Sequence, residues 1–176
     1  METISFDKLL LNTAFCCMAS DGNIDQKEIS FIKSMCANSP LFQDFNFLVE
    51  INSLIDKINS RGKEFISDYF DLLKKSTLTE KEELILIDFA IQTIKADGQI
   101  EYSEIKFFKN IRHRLNVSDE NILAVYPEME QFLEEDIVTD NFLDKITNQY
   151  LEAAEIPLFD IISTDPSSSD DTKKDE

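Results

Sequence analysis

Asp21-Gly-Asn-Ile-Asp-Gln-Lys-Glu-Ile-Ser-Phe-Ile-Lys33 returns 76 residues later as Asp97-Gly-Gln-Ile-Glu-Tyr-Ser-Glu-Ile-Lys-Phe-Phe-Lys109, with 7 identities in 13 positions, where chance gives about one. The residues before it keep the same offset: Leu11, Ala14, Phe15 and Met18 fall on Ile87, Ala90, Ile91 and Ile94. Apolar side chains at i, i+3, i+4 and i+7 form one face of a helix. Each stretch therefore reads as helix, Asp-Gly turn, helix. Two of the chain's 3 glycines occupy equivalent places in the copies, where a helix ends on a positive-φ residue and the chain reverses. A helix pair with one apolar face cannot bury itself, so the two copies, around 11–37 and 87–115, are expected to pack together about a pseudo-twofold.

The rest of the chain reads as helical too. A first helix over about 4–20 presents one apolar face. Asp25 with Glu28 forms a capping box that opens a second helix, with Ile29, Ile32 and Cys36 inward. Leu48, Ile51, Ile55 and Ile58 mark a third, and Ile66, Tyr69, Phe70 and Leu73 a fourth after Arg61-Gly62. Thr79 with Glu82 boxes the start of a fifth, which runs to about Ala96; a sixth spans about Glu101 to Leu115. Ser118 caps a seventh, Pro127 suits the first turn of an eighth, and Phe142, Leu143, Ile146 and Tyr150 mark a ninth. No stretch alternates with period two for long enough to be a strand. The expectation is an all-α, single multihelical domain over 4–160, followed by a disordered acidic tail at 163–176.

Composition narrows the function. The 176 residues carry 17 basic and 35 acidic side chains, a net charge of −18. Nucleic acid and anionic membrane surfaces are repelled by such a chain, whereas cations and basic partners are favoured. Three glycines are too few for a phosphate-cradling loop. Cys16, Cys17 and Cys36 are odd in number and lack CxxC spacing, so they read as buried reduced thiols. No apolar run approaches the ~20 residues of a membrane span and the N-terminal residues lack a leader pattern, so a cytoplasmic protein is expected. The one histidine, His113, lies between Arg112 and Arg114 near a helix end, where positive charge suits the dipole. With no Ser/His/Asp or Cys/His set discernible from spacing, a non-catalytic protein is expected.

Acids cluster at the two turns. The pattern Asp-Gly-x-Ile-x-x-x-Glu matches the second half of an EF-hand loop, but loop positions 1 and 3 would be Cys17 and Ala19 in one copy and Thr93 and Lys95 in the other. Those side chains do not supply the oxygens that open a calcium loop, so an ordinary EF-hand is rejected. An acid at the negative end of a helix dipole is unfavourable by ~0.3–1 kcal/mol. That Asp21 and Asp97 both stand there invites another cause. Asp25 and Glu28 are accounted for by capping, whereas Glu101 is a poor N-cap and leaves Glu104 without a clean box.

The duplicated turn, Ser20-Asp-Gly-Asn-Ile-Asp-Gln-Lys-Glu-Ile29 and Ala96-Asp-Gly-Gln-Ile-Glu-Tyr-Ser-Glu-Ile105, resembles the TerB-like (tellurite-resistance protein B) family, which includes the N-terminal domain of membrane-anchored DnaJ-like co-chaperones. The resemblance spans about residues 5–155 as architecture, with its specific motifs confined to the two turns. It implies an all-α fold with an internal pseudo-twofold, bacterial origin and a cytoplasmic stress-response role of the tellurite-resistance kind. It also implies divalent-metal binding by Asp21, Asp25, Glu28, Asp97, Glu101 and Glu104, with Ca²⁺, Mg²⁺ or Mn²⁺ fitting an all-oxygen set better than zinc. These residues contain no His-Pro-Asp tripeptide, so neither a J domain nor a membrane anchor is expected.

Ile156-Pro-Leu-Phe-Asp-Ile-Ile162 is an apolar strip interrupted by Pro157. It either docks on the domain or serves as a linear motif for a partner. Two functions follow: a metal-responsive binding module, or a metal-independent acidic adaptor that recruits a protein partner.

Overall fold

In the computed structural model, residues 4–43, 45–96, 98–100, 102–133, 151 and 156–162 are described. Every regular element among them is helical: α1 Phe6–Ala19, α2 Gln26–Asn38, α3 Phe47–Arg61, α4 Lys63–Lys75, α5 Glu80–Ile94, α6 Tyr102–Arg112, α7 Asp119–Val125 and α8 Glu130–Leu133. Short 3-10 turns, Pro40–Phe42 and Pro127–Met129, precede α3 and α8. The expected ninth helix at 142–150 and the tail at 163–176 lie outside the described residues, as do Asp97 and Glu101.

The local start signals work as read. The Asp25 N–H donates to Glu28 Oε2 at 2.9 Å while the Asp25 carboxylate caps α2. The Thr79 N–H donates to Glu82 Oε2 at 2.8 Å, and the Glu82 N–H returns a bond to Thr79 Oγ1. Ser118 accepts from the Asn121 N–H at the start of α7.

The first helix departs from expectation. Rather than showing one apolar face, α1 buries Leu9, Leu10, Leu11, Thr13, Ala14, Phe15, Cys16, Cys17, Met18 and Ala19. The reason is its position. It packs most extensively on α5 and also touches α3, α4 and α6, so nearly every side meets protein rather than water. α5 is similarly enclosed, with Leu86, Ile87, Ala90, Ile91 and Ile94 in the core. The residues 76 apart, Leu11 and Ile87, Ala14 and Ala90, Phe15 and Ile91, Met18 and Ile94, are all buried. One continuous core joins these helices to Ile66, Tyr69, Phe70, Phe107, Phe108 and Ile111.

Gly22 and Gly98 have φ of 83° and 80°. Side chains are strained in this left-handed region. Around Gly98 nothing lies within 4 Å of where a Cβ would stand, so strain is the whole cost of a substitution there. Gly98→Ala is expected to destabilise by about 1–2 kcal/mol in chemical denaturation, with no change in far-UV signal.

Candidate functional site

The turn acids divide into two kinds. Asp21 and Asp25 are exposed, and their carboxylates serve local backbone: Asp21 Oδ1 accepts from the Asn23 N–H at 2.8 Å, and Asp25 Oδ1 from the Lys27 N–H at 2.6 Å. Glu28 and Glu104 are buried, at 6% and 4% exposure, each in the first turn of its helix. There the positive end of the dipole favours a carboxylate.

The charges of both glutamates bear on one buried thiol. The Cys17 thiol is pushed well above its ordinary pKa, first by burial, then by the neighbouring Cys16 and by the negative charges of Glu104 and Glu28. Carboxylates from both helix pairs thus lie within electrostatic reach of the same buried sulfur. Among the described residues, however, no three acids, thiols or imidazoles come together as a metal-ligating group. Asp97 and Glu101, which complete the set of six, fall outside those residues.

The thiols are inert by environment. All three cysteines are free and buried. Burial lifts Cys16 well above the usual range and pushes Cys36 up to about 12, so neither offers a thiolate near neutral pH.

The best-defined polar geometry at the surface lies elsewhere, on α3. The side chains of Asn52 and Asn59 each pair with the backbone of a single residue in the 156–162 strip. Asn52 Nδ2 donates to the Ile162 carbonyl at 2.9 Å, and its Oδ1 accepts from the Ile162 N–H at 2.9 Å. Asn59 Nδ2 donates to the Phe159 carbonyl at 2.7 Å, and its Oδ1 accepts from the Phe159 N–H at 2.8 Å. Each carboxamide thereby takes the place of a neighbouring strand.

The spacing explains why two clamps fit. Seven helical residues rise about 10.5 Å and lie two turns apart on one side of α3. Three residues of polyproline-type chain span about 9 Å. The strip accordingly runs antiparallel to α3, with its backbone in register with both amides. Its burial repeats with period three: Phe159 is buried, Ile156 and Ile162 are half-buried, and the residues between are exposed. That is the period of a polyproline-type helix, and Pro157 is suited to it. Leu158 at 81% and Ile161 at 49% exposure face outward.

Sequence reading resolves neither asparagine, because the periodicity that identifies α3 registers only its apolar stripe. The signal present was an asparagine pair seven residues apart beside that stripe. Among the described residues, no helix is long and apolar enough to cross a membrane. Comparison with family models, with curated proteins and with solved structures gives no match to this chain.

Proposed function

We propose that this chain is a non-catalytic, metal-independent adaptor that recruits a protein partner. The observation that carries the reading is the strip: a surface segment fastened to α3 through its backbone, which leaves the large apolar side chains of Leu158 and Ile161 in water. Exposed apolar side chains grouped on one segment mark an interaction edge. The net charge of −18 favours a partner with a basic rim. The resemblance to the TerB-like family supplies a setting, a bacterial stress response of the tellurite-resistance kind.

Leu158→Ser with Ile161→Ser is expected to reduce partner capture from the native lysate at least tenfold. Because both side chains are exposed, the melting temperature should move by no more than about 2 °C. Undiminished capture of the same proteins by the double variant ends the adaptor reading.

A second reading keeps a hard divalent cation at the acids of the two turns. What supports it is that the negative charges of Glu28 and Glu104 both act on the Cys17 thiol. Several ionised carboxylates in one region repel one another, and a cation relieves this. The expected result is a rise in melting temperature with Ca²⁺, Mg²⁺ or Mn²⁺ that Asp21→Asn with Asp97→Asn abolishes. A flat response to all three ions removes this reading.

A further inference from the structure

The clamps on α3 recognise a backbone. All four bonds from Asn52 and Asn59 go to main-chain N–H and C=O groups of Phe159 and Ile162. They carry no information about side chains, so any extended chain with the right rise satisfies them equally well. Sequence enters only through the inward positions Ile156, Phe159 and Ile162, which pack against the core. The site thus asks for apolar residues at the first, fourth and seventh positions of a polyproline-type segment and is indifferent to the rest.

The resident strip is an imperfect occupant electrostatically. It carries Asp160, exposed, and belongs to a chain of net charge −18. An otherwise equal peptide with basic flanks gains attraction that the strip lacks. The strip's advantage is that it belongs to the same chain, which makes its binding intramolecular.

We propose that the Asn52/Asn59 face of α3 is a docking site for extended apolar peptides with basic flanks supplied by a partner protein, and that residues 156–162 are its built-in competitor. The proposal rests on the adaptor reading only for the partner being a protein. Exchange at this face frees the strip, so that occupancy by the partner and release of the chain's own segment are one event.

The test uses the full chain and a fluorescein-labelled synthetic peptide of the strip sequence with two lysines added at each end. Phe159→Ser with Ile162→Ser weakens the resident strip, and this variant should bind the probe at least tenfold more tightly than the wild type in fluorescence anisotropy. Adding Asn52→Leu and Asn59→Leu, which keep side-chain size but remove the clamps, should lower that binding at least tenfold. In the wild-type chain, millimolar probe should accelerate hydrogen exchange at the Phe159 and Ile162 amides, a measurement that needs no variant to fold. Equal binding by wild-type and strip-weakened chains, indifference to the asparagine substitutions, or unchanged exchange at saturating probe overturns the proposal. Dimerisation of the wild type that depends on both asparagines also overturns it, by assigning the face to a second copy's strip. Because probe binding is measured between purified components, its failure is distinct from a failure of Leu158 and Ile161 to capture a partner.

Discussion

Phe107→Ala is expected to cost about 3–5 kcal/mol of stability, and so to lower the melting temperature by about 6–20 °C. Phe107 is fully buried on α6, stacked on Tyr69 with ring centres 6.1 Å apart and tilted against Phe70 at 5.1 Å, both on α4. Arg114 covers Phe70 at 4.3 Å from the ring centre. The Tyr69 hydroxyl donates to Thr13 Oγ1 at 2.9 Å, and that hydroxyl donates to the Leu9 carbonyl of α1. A cavity at Phe107 thus unsettles a ring cluster that ties α6 through α4 to the central helix. The residue at the same place in the first stretch, Phe31, is 36% exposed. Its replacement by alanine should cost no more than about 1 kcal/mol, since only part of its transfer energy is lost. Similar costs for the two substitutions, measured by urea denaturation, would contradict this account.

Identical residues 76 positions apart thus have unequal environments, which marks what a sequence can and cannot convey. Features that depend on a few adjacent residues were legible: the boxes at Asp25 and Thr79, the cap at Ser118 and the positive-φ glycines at 22 and 98. These depend on hydrogen bonds or dihedrals within one turn. Features set by what packs alongside were not. The period of α1 indicated one buried face, but it lies among four other helices and loses nearly all its exposure. Phe31 and Phe107 differ because Phe107 has Tyr69 and Phe70 beside it. Capping accounts locally for Asp25 and Glu28, but the action of the Glu28 and Glu104 charges on one buried thiol depends on how α2 and α6 pack. Asn52 and Asn59 were invisible for the same reason, because their partners stand 110 and 100 residues away.

Glu83 is a second long-range tie that local reading misses, and its loss should be nearly as costly as that of Phe107. It follows Glu82 of the capping box, yet its side chain turns inward and is buried in the first turn of α5. Its Oε2 accepts from the N–H groups of Asn116 at 2.9 Å and Val117 at 2.6 Å, and its Oε1 accepts from Asn116 Nδ2 at 3.1 Å. One carboxylate thereby satisfies two consecutive backbone donors in the connection between α6 and α7, where no helical carbonyl is available to them. Glu83→Ala strands a buried donor, the Val117 N–H, together with two part-buried donors of Asn116. Each buried unsatisfied group costs ~1–3 kcal/mol, so a loss of about 3 kcal/mol and a fall of about 6–12 °C in melting temperature are expected. Glu83→Gln should retain most of the stability, because its carbonyl oxygen still accepts both N–H groups and the Asn116 amide turns to receive the new N–H. If Glu83→Gln is instead as damaging as Glu83→Ala, the charge at the helix N-terminus outweighs the hydrogen bonds. A Glu83→Ala chain that melts within about 2 °C of the wild type would mean that water reaches Asn116 and Val117, and that the carboxylate is not what holds α7 to α5.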